Sequence, residues 1–125
     1  MNKSKVYSKR FFLSIIMLHA LYFGLMVMQL IHLNFENAII INSASFVIFL
    51  VGLLIISPSL NKDSETFSIK FLLMTTVQML LFMLGILVIL YGGLADQKIT
   101  GFHFTGLFIA GLILQSVLLI KLKNH

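Results

Sequence analysis

The feature that most constrains this chain is a set of four long apolar runs that contain no Asp, Glu, Lys or Arg. A helix over each run would be roughly 28–32 Å long at about 1.5 Å per residue, which matches a hydrocarbon core of about 30 Å. Backbone amides in lipid must be bonded within their own segment, and the runs lack the alternation of barrel strands. The predicted transmembrane helices are Phe11–Ile31, Ala38–Ile56, Phe71–Tyr91 and Phe102–Ile120.

Composition supports lipid as the solvent for most of this 125-residue chain. Apolar residues make up 59% of it and charged residues 10%, whereas soluble domains average about 45–50% and about 25%. There are too few charged side chains to cover a water-facing surface, which excludes a soluble globular domain, a disordered chain and a coiled coil. We therefore predict an all-α integral membrane four-helix bundle, formed as one domain over residues 1–125 from two helical hairpins.

The connections between the runs carry the expected end signals. Pro58 follows the second run, where it can end a helix without breaking it. Asp63 or Ser64 is a suitable N-cap for an early start of the third helix. Gly92 and Gly93 follow that helix, where glycine is favoured as a C-cap.

The basic residues predict the orientation. Lys98 is the one basic residue on its side of the predicted bundle, and the other eight of the nine lie in the tails and the middle loop. The positive-inside rule then places both termini in the cytoplasm, with the chain in a bacterial inner membrane. The same bias explains the net charge of +5, so no nucleic-acid partner is expected. The first apolar run is longer than a signal-peptide core, so we expect it to remain as an anchor.

Neutral polar and small residues recur every three or four positions along each predicted helix, so that each set lies on one face. Such residues commonly join helices, because small side chains let backbones approach and amides or hydroxyls bond across the interface. A polar path or a ligand pocket between helices is the alternative. The candidate helix–helix or polar-path residues are His19, Gln29, Asn42, Ser45, Thr75, Gln78, Gly106, Ala110 and Gln115.

His19 is the one histidine expected near mid-membrane. We expect it to be neutral and hydrogen-bonded, with Gln115 or a neighbour of Gln29 as partner, rather than a proton relay or a metal ligand. A metal site formed by His32 and His103 at the outer interface is a weaker alternative, because their spacing matches no ligand motif. No metal is therefore expected.

Several functions are disfavoured by what the runs lack. Proton-coupled pumps need a carboxylate at membrane depth, and no run contains one. The chain therefore departs from small multidrug-resistance pumps, which use a glutamate in their first helix, and it lacks the signatures of fluoride channels. With no cysteine, no paired carboxylates and no Ser/His/Asp constellation, neither an enzyme nor a cofactor is expected.

The segment ETFSIKFLLMTTVQML, Glu65–Leu80, is followed by a hydrophobic span, a short Gly-rich loop and a last helix that ends in Lys121-Leu122-Lys123. From Phe67 onward this arrangement resembles the small four-helix proteins related to ATP synthase protein I. The resemblance implies a non-catalytic accessory that helps the membrane rotor ring of a bacterial ATP synthase to assemble. It carries no catalytic motif.

The first functional hypothesis is therefore an assembly or accessory subunit that contacts a larger membrane complex through its helices. A small transporter or channel subunit, which would act as an oligomer with the polar stripes lining its path, is the second. A membrane-perturbing, holin-like protein is the third. The expected partners are lipid and either another membrane protein or a second copy of the chain.

Overall fold

The computed structural model describes residues 2–28, 30–93 and 96–123, with the backbone alone for residue 123. It contains four long helices and no strand within these ranges. Each helix is long and apolar enough to cross a membrane, which is consistent with a multi-pass membrane protein. The all-helical part of the prediction is confirmed. The helices are α1 (Lys3–Val27), α2 (Phe35–Ile56), α3 (Ser64–Tyr91) and α4 (Gln97–Lys123).

The helices differ from the predicted spans mainly at their polar ends. The N-terminal tail, expected outside the helix that was predicted from Phe11, is helical from Lys3. Asn2 caps it by accepting a hydrogen bond from the backbone N–H of Lys5. Helix α1 also ends at Val27, before the predicted boundary. Apolar runs mark the stretch suited to lipid, whereas caps and backbone hydrogen bonds decide where a helix begins and ends.

The start and the end of α3 agree with the end signals in the sequence. Asp63 occupies the N-cap position, so the helix begins ahead of the predicted span. Gly92 is the C-cap, and its N–H donates to the carbonyl of Val88 at 2.7 Å. Gly93 follows with φ +77°, a left-handed conformation that favours glycine.

Consecutive helices run in opposite directions, as hairpins require, but the first hairpin is not a tight unit. Helix α2 packs most extensively against α3 and also crosses to α4, whereas α1 packs mainly against α4 and makes few contacts with α2. Helices α1 and α3 lie on opposite sides of the bundle. Side-chain complementarity, rather than the short connection between α1 and α2, determines which helices pack closely.

Both described ends of the chain lie at the same end of the bundle as the connection between α2 and α3. Ser4, at the start of α1, is hydrogen-bonded to Ser57, directly after α2. At the opposite end, Tyr22 near the end of α1 is bonded to His103 near the start of α4. The end of α4 therefore returns toward the start of α1.

Aromatic side chains fill the centre of the bundle. Phe82 stacks on Phe104 and Phe108, with ring centroids 5.1 and 4.3 Å apart. Phe49 lies 5.9 Å from Phe108, and Phe11 meets Phe49 edge-on at 6.2 Å. Four of these rings are buried and Phe82 is half-buried, while every helix also exposes large aliphatic residues on the outer surface, where lipid would solvate them.

Candidate functional site

A pair of glutamine side chains joins α3 to α4 in the bundle interior. Gln78 Nε2 donates to Gln115 Oε1 at 2.8 Å, and Gln115 Nε2 donates to Gln78 Oε1 at 3.0 Å. The two side chains are 0% and 1% exposed. Each amide therefore satisfies one donor and one acceptor of the other, which removes much of the cost of placing two amides in a low-dielectric interior.

Gly52 on α2 provides the space for this pair. A Cβ atom at this position would collide with Gln78 Nε2 and would lie 3.3 Å from Gln115 Oε1. Gly52 belongs to the small-residue stripe of α2, but it is not among the residues predicted for the site. The sequence shows that small residues recur along one face of α2. Only the position of the two amides shows that residue 52 must be glycine.

His19 on α1 is bonded to Asn42 on α2, with 2.6 Å between Nδ1 and Oδ1. The expectation of Gln115 or a neighbour of Gln29 as its partner is wrong, because Gln115 is bonded to Gln78. Asn42 Nδ2 donates to the carbonyl of Ala38 at 2.7 Å, so the oxygen of that amide faces His19. In its neutral form, His19 carries its proton on Nδ1, which leaves Nε2 with a lone pair.

Three buried side-chain polar atoms of the described residues have no hydrogen-bond partner: His19 Nε2, Ser45 Oγ and Tyr7 Oη. An unpaired buried polar group costs about 1–3 kcal/mol. Ser45 was a candidate for an interhelical bond, and its hydroxyl makes none. His19 Nε2 differs from the other two because its residue also lines a cavity.

This cavity, of about 510 Å³, lies between α1 and α2. Its volume is within the range of about 300–1,000 Å³ that is usual for small-molecule sites. The weak packing between the two helices leaves it open on the outer surface. We call it the α1–α2 cavity; it is lined by Ile16, His19, Phe23, Ile39, Asn42, Ser43, Phe46 and Val47.

Two further polar contacts join helices near the end of the bundle that is remote from the termini. Tyr22 Oη and His103 Nδ1 are 2.9 Å apart, and Asn37 Nδ2 donates to Thr100 Oγ1 at 3.1 Å. Sequence reasoning predicted neither pairing, although Tyr22 lies among the regularly spaced polar residues of α1. His103 is thus bonded to a tyrosine, and the described ranges contain no group of three or more His, Asp or Glu side chains placed to hold a metal ion.

Thr75 does not join helices in this structure. Its hydroxyl donates to the backbone carbonyls of Phe71 and Leu72, at 3.1 and 3.0 Å, within its own helix. A threonine can satisfy its hydroxyl in this way wherever it lies along a helix, so its position in a stripe does not establish an interhelical bond.

The small pair on α4 faces outward. Gly106 is exposed and an added Cβ would have no neighbour within 4 Å, while Ala110 is half-buried. The close approach inside the bundle instead uses Gly111, where a Cβ would collide with the ring of Phe49. Gln29, the remaining candidate, lies outside the described residues.

Comparison of the chain with known protein families, with curated proteins and with solved structures finds no significant match.

Proposed function

We propose that this protein is a non-catalytic accessory or assembly subunit of a larger membrane complex and that it acts through helix–helix contacts. The observation that carries the proposal is the way the interior is filled. The Gln78–Gln115 pair satisfies itself, and the stacked rings around Phe82 and Phe108 occupy the centre. A bundle whose interior is packed in this way supports a structural role better than a conducting one.

The outer face of α4 is the proposed contact surface. Gly106 is open to a neighbour, and it lines a shallow groove of about 310 Å³ together with Ala110 and Phe102. Phe102 is 81% exposed. Small residues flanked by a large apolar side chain favour close contact with another transmembrane helix, in which van der Waals packing supplies most of the free energy.

The proposed orientation has both termini in the cytoplasm, and the proposed location is a bacterial inner membrane. Eight of the nine basic residues belong to the segments at the terminal end of the bundle, and Lys98 belongs to the other end. The positive-inside rule supports this assignment. The resemblance to ATP synthase protein I makes the rotor ring of an ATP synthase the first complex to test.

The test is affinity purification of the full chain in mild detergent, followed by native electrophoresis and identification of the complex. We expect a defined larger assembly that is lost in Gly106→Leu and kept in Thr76→Leu, a small-to-large change on the exposed face of α3. A lone chain in the wild type, or equal loss in both variants, would refute the proposed contact surface. A complex without ATP synthase subunits would refute the rotor ring as partner.

A small transporter built from several copies is the second candidate. The α1–α2 cavity is lined by the polar side chains of His19, Asn42 and Ser43 and opens on the outer surface, where a second copy of the chain could enclose it. Flux through proteoliposomes that is abolished by His19→Ala would favour this alternative. Absence of flux at every tested protein density would favour the accessory role.

A further inference from the structure

We propose that the α1–α2 cavity binds a hydrophobic phenol, whose ring and apolar substituents occupy the cavity while its hydroxyl donates a hydrogen bond to His19 Nε2. This inference does not depend on the partner complex proposed above. Three features support it: the direction of the hydrogen bonds around His19, the walls of the cavity and the side from which the cavity opens.

The hydrogen bonds fix what His19 offers to a ligand. The carbonyl of Ala38 can only accept, so Asn42 must use its Nδ2 there and present its Oδ1 to the imidazole. In the neutral form of His19, the Nδ1 proton is thereby committed to Asn42. What remains is the lone pair of Nε2, which has no partner among the described residues. A ligand at this atom must therefore be a hydrogen-bond donor.

The side chains that line the cavity indicate the chemistry of the rest of the ligand. Phe23 and Phe46 supply two aromatic rings, and the ring of Phe46 meets the imidazole edge-on with centroids 6.1 Å apart. Three aliphatic side chains, Ile16, Ile39 and Val47, also line it. No cationic side chain lines the cavity, so a carboxylate or phosphate would enter with its charge unpaired. A phenol combines an aromatic ring with a single strong O–H donor.

The cavity opens toward the surface that lipid would cover. Ile16 and Val47 on its walls are 45% and 52% exposed. A ligand that dissolves in the bilayer can enter from there without crossing the bundle. Because Nε2 itself is covered, binding requires a side chain to turn aside, and Phe46 is the lining residue in ring contact with the imidazole.

The experiment uses the full chain in lipid nanodiscs with ¹⁵N-labelled histidine. The probes are 4-octylphenol and octylbenzene, which share the ring and tail and differ in the hydroxyl. We expect octylphenol to shift the His19 Nε2 resonance in a saturable manner and octylbenzene to leave it unchanged. A net hydrogen bond of this kind corresponds to a roughly threefold to tenfold preference for octylphenol.

Two variants locate the effect. Ser43→Phe adds a ring at an exposed lining position and should abolish the shift while the His19 resonance remains. His32→Phe, at an exposed histidine outside the cavity, should leave the shift intact. His19→Phe assigns the resonance by its loss. If that variant does not fold, single substitutions of His32, His103 and His125 assign the remaining signal by elimination.

An unchanged His19 resonance with octylphenol would overturn the proposal. So would an equal shift with octylbenzene, because the hydroxyl would then be irrelevant. A saturable shift that persists in Ser43→Phe would place the phenol elsewhere and would equally overturn it. None of these outcomes depends on whether the chain joins a larger complex, so the result is separable from the test of the accessory role.

Discussion

Gly52 of α2 lies directly against the side-chain amide of Gln78 of α3, in a space too small for a methyl group. The contact connects two features that are separate in the sequence: a glycine in an apolar helix and a glutamine in the next. It also places the Gln78–Gln115 pair at the point where α2, α3 and α4 meet.

Gly52→Ala should therefore destabilise the bundle, because the new methyl would displace the Gln78 amide from its partner. The expected loss is about 1–3 kcal/mol, the cost of leaving buried amide groups unpaired. Gly106→Ala is the matched control, since its methyl would meet open space and alanine favours a helix by about 1 kcal/mol. Unfolding by SDS in mixed micelles, followed by circular dichroism, measures both. Equal stability of the two variants would contradict the contact.

The glutamine pair predicts a specific pattern of single and double substitutions. Gln78→Leu leaves the Gln115 amide buried without its partner and should cost about 1–3 kcal/mol, as should Gln115→Leu. The double variant removes both amides and should be more stable than either single variant. The same SDS titration gives the coupling free energy from a double-mutant cycle. Additive losses would show that the amides do not interact.

Asn42 is expected to hold the tautomer of His19. In the wild type, the ¹⁵N spectrum of labelled histidine should show the neutral form of His19 with its proton on Nδ1. Asn42→Leu removes the acceptor and should release the imidazole into a mixture of tautomers. Ser43→Ala, on the next residue, is the control that should leave the tautomer unchanged. A His19 already protonated on Nε2 in the wild type would refute the deduced hydrogen-bond direction.

The orientation is testable because the chain contains no cysteine. Single cysteines at Lys5 and Lys62 should resist a membrane-impermeant thiol reagent added to intact cells, and a cysteine at Lys98 should react with it. Permeabilised cells provide the control, in which all three should react. Labelling of the Lys5 and Lys62 positions from outside, with protection at Lys98, would reverse the proposed orientation.

The sequence by itself determined that the chain forms four apolar helices, because a helix satisfies the backbone hydrogen bonds of a long uncharged run within the run itself. It also placed Asp63 and Gly92 at the ends of α3, since capping depends on residues adjacent in the chain. Helix faces followed from spacing, so Gln78 and Gln115 were predicted as candidates for helix–helix contact or a polar path.

Only the tertiary structure decided which polar groups meet. Periodicity gives a side chain its face on one helix, but not the rotation and depth of the helix beside it. For that reason His19 pairs with Asn42 rather than Gln115, and Thr75 turns back to its own backbone. The same reason explains why Gly111 makes the close approach inside the bundle while Gly106 faces outward.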